Sequence, residues 1–252
     1  MKKILMLVIA VVLFFWGRHY AGMAYEEYAI MTETKKQNEY LRNEVILKNE
    51  KNPMERKVDF ALLEEINPDI VGWIWIPGTS IDYPILVGNE DDEYLNLDME
   101  GKESKLGSIF SFCDTDRDLS DARTVLFGHN MRDYQMFGEL KRYQDLEFRK
   151  NHKRMYIYTR KRTMELCVFS IFVCEENADI FEDDTILGTN EYKELVQVLH
   201  KQNEYDDISI KNINIIHNVR TFSLVTCSGN AGTSNRLLVN SFVIGEKYCM
   251  ER

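Results

Sequence analysis

Between residues 72 and 244 the apolar residues of this 252-residue chain fall into short runs, each closed by a turn signal. That pattern restricts the fold more than any other feature. Runs over 72–76 and 81–86 flank Pro77-Gly78, a strong turn pair. Further strand-like runs occupy 107–112, 124–128, 154–160, 163–174, 221–227 and 236–244. Helical stretches are few: 58–66, stopped at Asn67-Pro68; a short one in "DDEYLNLD"; one around 134–143; and the amphipathic "NEYKELVQVLHKQ" inside a long connection over 175–219. Eight or so short strands with a few helices predict one mainly β (α+β) domain, an antiparallel-rich barrel or sandwich.

The N-terminus has another character. Lys2 and Lys3 precede an unbroken apolar run from Ile4 to Trp16. Thirteen residues at about 1.5 Å each reach only ~20 Å, short of the roughly 30 Å hydrocarbon core and suited to a signal-peptide core. No A-x-A cleavage site follows, however, and residues 4–24 span if Arg18 snorkels beside Trp16 and Tyr20. The expectation is an uncleaved signal-anchor over 1–24, with everything after it exported. Residues 25–57 are polar, Gly-free and weakly helical, which reads as a solvated spacer or a helix packed on the domain over 58–252.

A formal net charge of -10 argues against a nucleic-acid partner, which calls for a basic face. The five cysteines form no C-x-x-C or zinc spacing, so no metal is expected. Cys167 and Cys174 share one predicted strand, about 23 Å apart, and cannot bridge. Cys113, Cys167, Cys174 and Cys249 are read as small buried apolar residues.

Cys227 is different: it ends the strand "TFSLVTC" in front of Ser228, Gly229 and Asn230. Alternation puts Phe222, Leu224 and Thr226 on one face and Thr221, Ser223, Val225 and Cys227 on the other, the smaller and more polar face, where a substrate would approach. A free thiol is only a few per cent thiolate at neutral pH, so a nucleophile needs a partner. Among the five histidines, His19 flanks the membrane run, His152 sits in a basic stretch and His200 on the connection helix, while His217 is a rival. His129 follows the apolar strand "TVLF", with Gly128 before it to allow the backbone geometry of a sheet edge. The eight-residue loop "SGNAGTSN" closes a hairpin that brings Arg236 near Cys227, where a fixed cation stabilises a thiolate or an oxyanion.

"LVTC" at 224–227, "FGHNM" at 127–131 and "SNRLLV" at 234–239 resemble the three signatures of sortases, the cysteine transpeptidases of Gram-positive cell surfaces. Ser223 stands where the usual Thr-Leu-x-Thr-Cys motif begins with Thr. The resemblance covers about residues 58–247. It is greatest to class B, through "GWIWIPGTSIDYPIL", "HNM…MFGEL" and the helix before the cysteine strand.

The resemblance implies a closed β-barrel of about eight strands with peripheral helices. It also implies a membrane-tethered enzyme outside the cell, without cofactor or calcium. Its catalytic residues are His129, Cys227 and Arg236. Thr226 is implied beside the sulfur and Leu95 in the wall of a peptide groove. The implied partners are a sorting-signal peptide resembling Asn-Pro-x-Thr-x and a peptidoglycan-precursor amine. Two other readings stand beside it: a cysteine peptidase that hydrolyses the same thioester, and a non-catalytic surface-binding β-domain.

Overall fold

A computed structural model describes residues 2–48, 51–131, 133–181, 185–212, 215–228 and 234–249. The chain divides into two compact units, residues 1–43 and 44–252. The first is helical: α1 (Lys2–Val45) runs unbroken through it, with its apolar window near the N-terminus, long and apolar enough to cross a membrane. The helix continues through most of the expected spacer. Beyond it β1 (Ile46–Lys48) pairs with β2 (Lys57–Val58), and α2 (Phe60–Ile66) is capped by the Asp59 carboxylate.

The remaining strands are β3 (Ile70–Trp75), β4 (Asp82–Val87), β5 (Ile109–Ser111), β6 (Arg123–Phe127), β7 (Arg154–Thr159), β8 (Arg162–Glu175), β9 (Thr221–Cys227) and β10 (Asn235–Tyr248). They form a closed barrel in the order β10-β8-β7-β3-β4-β5-β6-β9, as expected of the eight-strand fold. Most pairs are antiparallel, but β4–β5 and β6–β9 are parallel. Part of the hairpin loop joining β9 to β10, residues 229–233, lies outside the described residues.

Period-two alternation fills the barrel. Leu126, Leu224, Val239 and Ile171 register side by side across β6, β9, β10 and β8, all fully buried. The alternate residues Val125, Val225, Leu238 and Phe172 form a second, outer core against α4 (Asn190–Lys201). That helix is capped by the Thr189 hydroxyl and buries Tyr192, Val196 and Leu199, the one-sided spacing of an amphipathic helix.

The helix expected over 134–143 is a 3₁₀ segment (Gly138–Gln144) followed by α3 (Leu146–Asn151). Tyr134 and Met136 hold positive φ angles of 66° and 52°, so the chain cannot enter a right-handed helix before Gly138.

Candidate active site

The outer face of β9 does not lie open as its composition suggested. Every residue from Thr221 to Thr226 is buried, and only Cys227 is partly exposed. The polar residues on that face are used internally. Arg123 Nε donates to Ser223 Oγ at 3.0 Å, and Ser223 Oγ donates to Asn240 at 2.7 Å. The Tyr192 hydroxyl from α4 donates to Thr221 Oγ1 at 3.3 Å. The connection helix covers the strand until its last residue, so the thiol emerges where that cover ends.

Three neighbouring strands bring candidate groups to this rim. In the parallel pair β6–β9, Phe127 registers with Val225. His129 and Cys227 each follow two residues later, past the last paired residues, where the Asn130 side-chain amide donates to the Cys227 carbonyl at 2.8 Å. Across the antiparallel pair, Cys227 is the partner of Arg236. Ser228 N–H donates to the Asn235 carbonyl at 2.8 Å, which makes the next pair the hydrogen-bonded one. Cys227–Arg236 is therefore the other kind of pair, with Cα atoms about 4.5 Å apart and side chains on one face at their closest approach. On its far side Arg236 registers with Cys174 of β8, and its Nη2 donates to Glu176 Oε2 at 2.6 Å. Register thus sets Cys227, Arg236 and Cys174 side by side, with Glu176 bonded to the arginine and the His129 loop tied to the end of β9.

His129 is held from several directions. Its Nε2–H donates to the Leu95 carbonyl at 2.8 Å, from a 3₁₀ turn (Glu93–Leu95) beside β5. Among the described residues Nδ1 makes no hydrogen bond, which leaves that nitrogen for chemistry. The His129 carbonyl accepts from Phe137 N–H at 3.0 Å, and Asn130 bridges to Met136, so the loop folds back on itself. Gly138 permits this: a Cβ there would lie 2.1 Å from the Met131 carbonyl oxygen, inside backbone that cannot yield. Gly128 has a different reason from the one expected. Its φ is not positive; a Cβ would instead press to 2.5 Å from Ile109 and 2.8 Å from the buried Phe137 ring. The loop is clamped below by Glu139, whose carboxylate accepts from Ser80 N–H at 2.6 Å and from Arg142 at 2.6 Å.

The other histidines lie elsewhere. His217 is buried four residues before β9 begins, and the strand carries Cys227 about 20 Å beyond that start, which removes it as a rival. His152 caps α3 and stacks on Phe148 at 4.0 Å. His200 lies in the last turn of α4, and His19 belongs to the first unit.

Leu95 is partly exposed and contributes its carbonyl to His129. Thr226 is buried, and its hydroxyl donates to the Gly128 carbonyl at 2.8 Å, so that group is engaged with the His129 loop. All five cysteines are free. Cys113 and Cys249 are exposed, against the expectation that they are buried, because each sits just past a strand end where neither face is covered. Burial pushes the Cys174 thiol up, while Arg123 and Arg236 oppose that shift. Cys174 and Cys227 are two strands apart, about 10 Å, too far to bridge.

Sequence reasoning missed Asn130 and Glu176. Asn130 gave a faint signal by following His129. Glu176 gave none, since its partner lies 60 residues away and is met only through barrel register.

Residues 74–242 match the Sortase domain family model. Sortase B of Listeria monocytogenes is 30% identical over 166 residues, 66% of this chain and 65% of the relative, so the match spans just under two thirds of that protein. Sortase B of Staphylococcus aureus is 30% identical over 186 residues, 73% and 74% of the two chains. The crystal structure of sortase B from Bacillus anthracis in complex with AAEK1 superposes with a TM-score of 0.71 at 28% identity, covering 86% of this chain and 98% of that one.

Proposed function

Because the chain belongs to the sortase family, we propose that it is a class B cysteine transpeptidase working through Cys227, His129 and Arg236. The observation that supports the reading is the pairing of Cys227 with Arg236, together with the hydrogen bond from Asn130, next to His129, to the Cys227 carbonyl, at the residue where β9 becomes partly exposed.

Cys227 Sγ attacks the carbonyl carbon after the Thr of a sorting signal resembling Asn-Pro-x-Thr-x. The carbonyl oxygen becomes an oxyanion, and the guanidinium of Arg236, the residue paired with Cys227, stabilises it. Collapse breaks the C–N bond and His129 protonates the departing amine, leaving a thioester on Cys227. An amine of the peptidoglycan precursor then attacks the thioester. His129 takes its proton, an amide forms and the thiolate is released. The groove wall includes the turn at Leu95 and the connection carrying α4. The apolar helix tethers the enzyme in the plasma membrane with the barrel on the outer face, where exported substrates and lipid-linked precursor meet.

Intact-mass measurement of the full chain incubated with a sorting peptide tests the reading. A thioester adduct on Cys227 that added amine converts to an amide product supports it. Cleavage without amine incorporation assigns the protein to the hydrolytic cysteine peptidases. Absence of any adduct returns it to a binding domain.

A further inference from the structure

The ladder between β6 and β9 ends at Phe127–Val225, yet the candidate base and nucleophile both lie beyond it. Two strand ends released from pairing diverge unless something else joins them. Past the last backbone bond, from Gly128 N–H to the Val225 carbonyl at 3.2 Å, two side-chain bonds among the described residues do so: Thr226 Oγ1 to the Gly128 carbonyl, and Asn130 Nδ2 to the Cys227 carbonyl, each 2.8 Å. The second reaches the reacting residue itself. Asn130 follows His129 directly, and its backbone is fixed by the bridge to Met136. Its amide therefore connects the His129 loop to the backbone of Cys227 in one step.

We propose that Asn130 is a positioning residue, a clasp that sets the distance between the His129 imidazole and the Cys227 thiol after strand pairing has stopped. The proposal rests on the reading that these two groups react together. Only a side chain with an N–H donor of this length serves. A hydroxyl is too short, and an aspartate turns an acceptor toward an acceptor. The loop around Asn130 is already strained at Tyr134 and Met136, which is where a tether is needed. Misplacing reacting groups by about 1 Å costs as much as ~100-fold in rate, so loss of a single clasp in a loop otherwise held is expected to cost ~10-fold.

The experiment uses the full-length enzyme in detergent. Wild type, Asn130→Ala, Asn130→Asp and His129→Ala are compared, with Asn130→Ala also placed in the His129→Ala background. Acyl transfer gives kcat and KM, and peptide mapping gives the alkylation rate at Cys227 alone, free of the exposed Cys113 and Cys249. Asn130→Ala is expected to lower kcat about 10-fold with KM within two-fold. Asn130→Asp should be impaired at least as much. Asn130→Ala should slow Cys227 alkylation in the wild-type background and have no further effect once His129 is absent. Unchanged kcat in Asn130→Ala, or equal slowing of alkylation in both backgrounds, overturns the clasp. Wild-type transfer by His129→Ala is a separate result: it removes the His129–Cys227 reading, and the clasp with it.

Discussion

Glu176 accepts from Arg236 across β8 and β10, on the side of Arg236 away from Cys227. The guanidinium is thus held by a carboxylate while residue 236 itself pairs with Cys227 across the ladder. Replacing Arg236 by Lys keeps a charge but loses the planar fork, and transfer should fall about 100-fold, the scale of losing one oxyanion donor. Glu176→Gln should cost only about two- to five-fold, because the pair is partly exposed and such pairs contribute at most ~1 kcal/mol. Steady-state kinetics on both variants checks the ordering; equal losses contradict the assigned roles.

His129→Ala should lower transfer by about 10²–10⁴-fold. His217→Ala should leave turnover of the folded enzyme nearly unchanged while lowering the thermal midpoint, since it empties a buried site far from the thiol. Kinetics paired with thermal melts separates the two.

Gly138→Ala should damage both stability and rate. A methyl group 2.1 Å from the Met131 carbonyl oxygen forces the loop open, at a cost of about 2 kcal/mol or more, and the His129 backbone moves with it. A lowered thermal midpoint together with a lowered kcat is expected. A variant with normal kcat shows that the fold-back does not place the imidazole.

Arg149 and Asp207 give a pH signature. Burial alone raises the Asp207 carboxyl, but hydrogen bonds and charge from Arg149 outweigh it and hold the group below its ordinary value of 3.8. A depressed carboxylate adds stability that is present above the unfolded pKa and lost as pH falls through the folded one, so the loss belongs to the region below about pH 4. Asp207→Asn should destabilise by about 1–3 kcal/mol at neutral pH, leaving buried Arg149 with a weaker partner, and should flatten the acid side of the stability curve. Urea midpoints between pH 3 and 7 check it.

Strand runs were legible because alternation and turn pairs are local. Cys227 and Arg236 were legible for the same reason, joined by one hairpin. The parallel seam between β6 and β9 was not, because its partners lie about a hundred residues apart and nothing local encodes the pairing. Alternation also misled. Thr221 and Ser223 look like a solvent face, yet they hydrogen-bond under α4, and a polar residue with an internal partner is indistinguishable in sequence from a wet one. The exposed Cys113 and Cys249 were missed because burial was inferred from residue type, whereas position past a strand end decides it.

The seam between β6 and β9 also governs when the proposed chemistry can begin. Sulfur and imidazole arrive on segments with two other barrel strands and α4 between them in the chain, so a chain still wrapping itself up carries two separate fragments. Competence therefore waits until those two distant segments are joined.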